Sequence, residues 1–140
     1  MINITKEISV SIDDVLHLYQ AVGWTNYTNQ PQMLEQSLAH SLAICVARDD
    51  EEIVGLVRLV GDGFSSVFIQ DLIVLPSYQR QGIGSALMKE ALGDYKDAYQ
   101  VQLATEQTEK NVGFYRSIGF ETLSTYDCIG MIWVDREKLQ

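Results

Sequence analysis

Residues 79–85 form a strand-to-helix junction whose residue types and spacing suit ligand binding. Gly82 and Gly84 open a helix here, directly after an apolar strand that stops at Pro76. The first turn of a helix has backbone N–H groups without intrahelical partners, and the helix dipole adds partial positive charge there. Because glycine has no Cβ, those amides can approach a ligand closely. The pattern indicates a phosphate or pyrophosphate site, although a plain tight turn would also use these glycines.

Two common nucleotide-binding motifs do not fit this junction. A dinucleotide fingerprint needs a third Gly or an Ala at the position of Leu87. A P-loop needs a Gly-Lys-Ser or Gly-Lys-Thr run, which the sequence lacks. The spacing therefore argues against both of these nucleotide-binding motifs at the junction.

A second motif, with an aromatic pair before a glycine, follows one predicted strand later. The motifs are Val74-x-Pro76, Gln79-x-x-Gly82-x-Gly84 and Phe114-Tyr115-x-x-x-Gly119-Phe120. Each motif alone is weak, but with both motifs in this order the chain resembles the GNAT superfamily of CoA-dependent N-acetyltransferases over essentially its whole length.

The resemblance implies how acetyl-CoA, the co-substrate, would bind. In the family the pyrophosphate lies on amides of the glycine-rich turn, and the pantetheine bonds to the backbone of the preceding strand, where an N–H also polarises the thioester carbonyl. The family's pantetheine-contacting Asn falls on Thr108 here, and Asn111 is the alternative contact. The residues implied to bind acetyl-CoA are Leu72, Ile73, Val74, Arg80, Gln81, Gly82, Ile83, Gly84, Ser85, Asn111 and Tyr115.

The resemblance also implies candidate catalytic residues. Tyr115 would protonate the departing thiolate, because its phenol stays neutral at pH 7; packing is the alternative role. Gln70 and Asp71 precede the strand segment expected to contact CoA. Family enzymes often carry a Glu or His at the position of Phe68 or Gln70, and neither residue is a base. Asp71 could be the base or a structural hydrogen-bond acceptor, with Glu106, a water chain or deprotonation in solvent as alternatives.

Two aromatic residues after the first helix are candidates for acceptor binding. The family uses this region to wall the acceptor pocket, which implies such a role for Trp24 and Tyr27. An aromatic body with a polar tip suits a small amine. Core packing is the competing interpretation for Trp24.

Hydrophobic periodicity and turn residues predict the elements that position these groups. The order is β-α-α-β-β-β-α-β-α-β-β, an α/β (α+β) fold with a central mixed, mostly antiparallel twisted sheet flanked by helices. Ser11 is predicted to cap the first helix, and Pro31 to open the second. The closing strands are predicted at 120–123 and 129–134, with Met131 and Trp133 in the core.

Composition limits the classes of partner. The chain has 140 residues, which fits one domain over 1–140, and its net charge of -9 argues against nucleic acid. No signal peptide or membrane-length apolar run is present. Cys45 and Cys128 are predicted as buried thiols, and the lack of a CxxC motif, a Cys/His cluster or a repeated spacing argues against a disulfide framework and a zinc site. We expect a cytoplasmic protein without metal or membrane partner, and the resemblance leaves a homodimer open.

The resemblance thus implies an enzyme that moves an acetyl group from acetyl-CoA to a primary amine, directly, within a ternary complex. The acidic charge and the lack of an appended domain favour a small-molecule amine over a protein tail. A non-catalytic acyl-CoA-binding or sensor module is the alternative, supported by Phe68, Gln70 and Leu103 at positions where a base would stand. A plain nucleotide-binding fold would instead predict competition by ATP or NAD and none by CoA.

Overall fold

The computed structural model of the chain describes residues 1–135 and 137. Contacts within the chain divide it into two compact units, unit 1 (Met1–Leu103) and unit 2 (Ala104–Gln140). The expectation of a single domain stays a prediction.

Unit 1 contains a five-stranded sheet and four helices. Ser11 caps the first helix as predicted, because its side chain accepts a hydrogen bond from the N–H of Asp13. Pro31 stands at the start of the third helix, where its missing N–H costs no bond. The elements are β1 (Ile2–Glu7), α1 (Ile12–Ala21), α2 (Thr25–Thr28), α3 (Pro31–Ala39), β2 (Ala43–Asp49), β3 (Glu52–Gly61), β4 (Ser66–Val74), α4 (Ile83–Leu92) and β5 (Gln100–Leu103).

The strand order in the sheet is β1-β2-β3-β4-β5. The first three pairings are antiparallel, and β4 pairs with β5 in parallel. This arrangement confirms the predicted α+β class with a mixed, mostly antiparallel sheet. The short helix α2 was not predicted, since its four residues carry no helical periodicity of their own.

The largest buried cluster lies between the sheet and the helices α1 to α3. The side chains of Leu18, Leu34 and Leu56 are fully buried in it. Along β4 burial alternates, so that Asp71 shares a buried face with its apolar neighbours Ile69 and Ile73. Strand periodicity alone predicts this alternation.

Unit 2 contains the helix α5 (Glu109–Ser117) and a short 3₁₀ turn at Leu123–Tyr126. The predicted strands at 120–123 and 129–134 are wrong, because the described part of this unit forms no strand. Met131 is 91% exposed and Trp133 82% exposed, so their predicted place in the core is also wrong. Apolar alternation shows that a segment can form a strand, but backbone pairing with a neighbour is needed to make one.

The two cysteines differ in burial. Cys45 is buried, as predicted, whereas Cys128 is exposed, which corrects the prediction for that residue. Every helix within residues 1–135 and 137 is too short or too polar to span a bilayer.

Candidate active site

The glycine-rich turn leads into α4, which begins at Ile83, two residues earlier than its predicted start at Ser85. Gly82 is the N-cap and has a left-handed backbone with φ of +79°. No atom lies within 4 Å of where a Cβ would stand, so glycine is required here for its backbone conformation and not for space. Arg80 is also left-handed, with φ of +66°.

No side chain caps the N-terminus of α4. The amides of its first turn have no intrahelical partners, so they are available to solvent or to a ligand. Arg80 and Gln81 are exposed beside this terminus, Gly84 and Ser85 are half-buried, and the side chain of Ile83 is buried and anchors the helix. The turn therefore has the features of an anion site that the sequence predicted.

Strand β4 has a backbone edge that its neighbour does not cover. Its parallel partner β5 ends at Leu103, opposite Ile69. The residues at 72–74 therefore pair with β3 on one side and have no β5 partner on the other within the described chain. One carbonyl on this stretch, that of Val74, accepts a hydrogen bond from Gln79 Nε2 at 3.1 Å. The open edge leads directly towards the glycine-rich turn.

A β-bulge lies just before this open stretch. Asp71 pairs with Arg58 and Ile69 pairs with Leu59, so Gln70 has no partner on β3. Bulges re-aim side chains and are common beside active sites. Gln70 is exposed at this point, and no local sequence signal predicted the bulge.

Asp71 is the centre of a buried polar cluster in unit 1. Its carboxylate accepts hydrogen bonds from Arg58 Nε at 2.7 Å, from the Tyr19 hydroxyl at 2.9 Å and from the Tyr27 hydroxyl at 2.9 Å. Asp71 is only 2% exposed and Arg58 only 4%. Three donors thus occupy the carboxylate, which favours the structural role over that of a base.

The protonation of this cluster suits its hydrogen bonds. Burial, followed by the charge of Asp71, raises the pKa of both Tyr19 and Tyr27, which keeps the two phenols neutral as donors. Burial by itself would lower the pKa of Arg58, but attraction to Asp71 outweighs it and raises the pKa. Arg58 therefore stays charged and the two phenols stay neutral over the ordinary pH range.

Arg58 is the residue of this cluster that the sequence analysis missed. It is the only charged residue in the otherwise apolar strand interior of β3. Arginine is rarely buried unless it is paired, so a lone Arg in such a run was the signal for a buried carboxylate elsewhere. The sequence could not tell which carboxylate.

The two candidate acceptor-binding aromatics lie close together. The ring of Tyr27 is 5.0 Å from that of Tyr19, and the ring of Trp24 is 6.0 Å from Tyr19 and 6.3 Å from Tyr27. Tyr27 is 8% exposed and its hydroxyl is engaged by Asp71, whereas Trp24 is half-buried at the start of α2. Trp24 therefore packs on the core and still presents part of its ring.

Tyr115 belongs to unit 2, on α5. Its ring packs against Phe114 at 5.0 Å and Phe120 at 6.0 Å, and burial raises the pKa of its phenol. The N–H of Asn111 donates to the Thr108 hydroxyl at 3.1 Å, which makes Thr108 the cap of this helix. A half-buried, neutral phenol is suited to donating a proton.

The described residues contain no group of three or more His, Cys, Asp or Glu side chains that could hold a metal ion. Among the described residues, the candidate site in unit 1 presents backbone amides, the phenols of Tyr19 and Tyr27 and one buried ion pair.

Comparison with known proteins identifies close relatives. The family model described as acetyltransferase (GNAT) domain matches residues 40–122. A solved GNAT-family acetyltransferase from Streptococcus pneumoniae TIGR4 is 74% identical, covers 97% of this chain and 99% of its own, and has a TM-score of 0.91. GCN5-related N-acetyltransferase 1 of Arabidopsis thaliana, a chloroplastic protein, is 27% identical over 92% of this chain. The chain spans 65% of the length of that plant relative.

A more distant solved structure shares the fold. The PaiA N-acetyltransferase of Thermoplasma acidophilum, solved in complex with coenzyme A, is 19% identical. It covers 87% of this chain and 91% of its own, with a TM-score of 0.68.

Proposed function

Since the chain belongs to the GNAT acetyltransferase family, whose fold supports acyl transfer from CoA, we propose that it transfers an acetyl group from acetyl-CoA to a primary amine. The transfer is direct, within a ternary complex, and the acceptor is a small molecule. The open edge of β4 beside the uncapped start of α4 is the observation that carries this proposal. The cytoplasmic location and a homodimeric assembly stay predictions.

The proposed binding of acetyl-CoA uses that edge and that helix start. The pantetheine amides can bond to the free backbone groups at 72–74, in the manner of an added strand. The pyrophosphate then reaches the amides at 80–85, where Arg80 adds an exposed positive charge. Both contacts use backbone groups, so they depend on the conformation of Gly82 more than on side-chain chemistry.

The transfer step needs a nucleophile, an oxyanion donor and an acid. The neutral amine attacks the thioester carbonyl carbon, and a β4 backbone N–H stabilises the developing oxyanion. The C–S bond then breaks, and the thiolate takes the phenolic proton of Tyr115. The Tyr115 phenolate regains a proton from water, and the nitrogen releases its own proton to water. The assignment of Tyr115 rests on its motif; burial raises the pKa of its phenol, which keeps the phenol protonated until the thiolate forms.

The proton of the attacking amine needs a route that avoids Asp71. That carboxylate is buried and holds three donors, and Gln70 has no basic group. We propose that the amine loses its proton to water before or during attack, and that the exposed amide of Gln70 orients the amine or that water. Trp24 and Tyr27 form part of the wall that the acceptor contacts.

Two measurements test the proposal. Isothermal titration calorimetry must detect binding of CoA and acetyl-CoA, and the proposal fails if neither binds. A thiol-release assay over a panel of amines should then show amine-dependent turnover. Tyr115→Phe should lower turnover by about 10²–10⁴-fold, the usual contribution of a general acid, with little change in CoA affinity.

Tyr126→Phe is the matched control, because Tyr126 is an exposed tyrosine of the same unit and has no proposed role. It should retain wild-type turnover.

A non-catalytic acyl-CoA-binding module is the second candidate function. The occupied carboxylate of Asp71 and the amide at Gln70 favour it, because neither residue supplies a base. Tight CoA binding without thiol release on any amine would support this module and contradict the enzyme.

A further inference from the structure

Residues 76–82, here called the 76–82 loop, lie between β4 and α4. Six of these seven residues are exposed, and Tyr78 is the half-buried one. The loop includes the left-handed residues Arg80 and Gly82. Left-handed backbone is unfavourable for a residue with a side chain, and it persists where surrounding contacts hold it. The conformation of this exposed loop therefore needs an anchor.

The side chain of Tyr78 joins the 76–82 loop to the sheet. Its hydroxyl donates a hydrogen bond of 2.7 Å to Asp49 Oδ2. Asp49 is the last residue of β2, and its backbone is paired with β1 on one side and with β3 on the other. Hydrogen bonds to an ionised carboxylate are stronger than those between neutral groups. The bond from Gln79 Nε2 to the Val74 carbonyl, in contrast, joins neighbouring parts of the chain.

The protonation states of Tyr78 and Asp49 suit a lasting bond. The hydrogen bond from Tyr78 lowers the pKa of the Asp49 carboxyl. The same bond raises the pKa of the Tyr78 phenol to about 12. The carboxylate is therefore ionised and the phenol neutral over the ordinary pH range, so Tyr78 remains the donor and Asp49 the acceptor.

We propose that Tyr78 is a positioning residue for the diphosphate of CoA and that it acts through Asp49. The hydrogen bond between them holds the 76–82 loop in the conformation that presents the amides at 80–85 to the ligand. This role rests on the proposed function, because it requires CoA to bind those amides. Without the bond the loop populates other conformations, and the apparent affinity for CoA falls in proportion to the fraction of molecules that stay competent to bind.

Isothermal titration calorimetry with CoA on the variant Tyr78→Phe tests this role. The substitution removes the hydroxyl, keeps the ring, and leaves the bond from the Met1 ammonium to Asp49 in place. We expect the Kd for CoA to rise about tenfold, which corresponds to a competent fraction of about one tenth. Tyr99→Phe is the matched control, because Tyr99 is an exposed tyrosine of the same unit, and it should bind CoA with wild-type affinity.

A double-mutant cycle shows whether Tyr78 acts through Asp49. Asp49→Ala should weaken CoA binding, and the double variant should bind CoA no more weakly than Tyr78→Phe alone, because both substitutions remove the same bond. Loss of a negative charge near a phosphate site would by itself strengthen binding. Glu51→Gln, a change at an exposed residue of the same hairpin, measures that charge effect. Additive losses in the double variant would overturn the proposal.

Pantetheine, which lacks the diphosphate, distinguishes a positioned loop from a general loss of structure. Ligand-observed NMR at millimolar pantetheine should show equal binding to the wild type and to Tyr78→Phe. In the thiol-release assay the variant should raise the KM for acetyl-CoA and leave kcat and the KM for the amine unchanged. If Tyr78→Phe binds CoA with wild-type affinity, or loses pantetheine as much as CoA, the positioning role is wrong while the proposed function stands. If the wild type binds no CoA, the proposed function fails, and the positioning role fails with it.

Discussion

Replacing Asp71 with alanine is expected to be among the most destabilising single substitutions in unit 1. The change removes the carboxylate that holds Arg58, Tyr19 and Tyr27. Because Arg58 is 4% exposed, its charge would stay buried without a counter-ion. Breaking a buried ion pair in this way costs about 3–5 kcal/mol.

The remaining contacts of Arg58 place the expected loss at the lower end of that range. Its guanidinium keeps hydrogen bonds to the Tyr27 hydroxyl at 3.1 Å and to the Ser41 hydroxyl at 3.3 Å. We therefore expect Asp71→Ala to lower the free energy of unfolding by about 3 kcal/mol. A chain of this size has a total of roughly 7–15 kcal/mol, so the loss is a large share.

Urea unfolding followed by circular dichroism at pH 7 measures this loss. Tyr27→Phe is the control, because it removes one hydrogen bond to the carboxylate and one from Arg58 but leaves the ion pair intact, and it should cost about 1–2 kcal/mol. A cost below about 1 kcal/mol for Asp71→Ala would refute the claim that the carboxylate neutralises a buried charge. If Asp71→Asn kept full stability but abolished turnover, with a changed pH profile, Asp71 would be the base after all.

Three further predictions concern backbone conformation and thiol chemistry. Gly82→Ala should lower the free energy of unfolding by about 1–2 kcal/mol, the cost of left-handed backbone, and weaken CoA binding in calorimetry; unchanged values would contradict the conformation described. Gly61→Ala should cost more, seen as a larger drop in the urea midpoint, because its Cβ would lie 2.3 Å from the carbonyl oxygen of Ser66. Burial raises the pKa of the Cys45 thiol to about 11, so alkylation of the folded protein at pH 8, read by mass spectrometry, should modify Cys128 and spare Cys45. The thiol pKa is about 8.5 in an unfolded chain, so the stabilisation that the protonated Cys45 gives the folded state is full below that pH and is lost as the pH rises towards 11. The urea midpoint should therefore fall over this pH range, and it should fall less in Cys45→Ala.

The local sequence was sufficient to predict most helices and strands of unit 1. The cap at Ser11, the proline at the start of α3 and the alternation of β4 all depend on residues a few positions apart. The glycine-rich turn could also be predicted from local sequence, because glycine readily adopts the left-handed backbone that Gly82 has. These features could therefore be predicted from the order of residues along the chain.

Other features depend on residues that are distant in sequence. Asp71 lies 52 positions from Tyr19 and 13 from Arg58, so only folding shows that its carboxylate is already occupied. The bulge at Gln70 and the early end of β5 come from pairing between strands, which no single strand specifies. The apolar pattern at 129–134 showed that this segment can form a strand, and the tertiary structure showed it exposed. The hydrophobic periodicity of a sequence shows which side chains favour burial. What they pack against depends on contacts between distant parts of a chain or between chains.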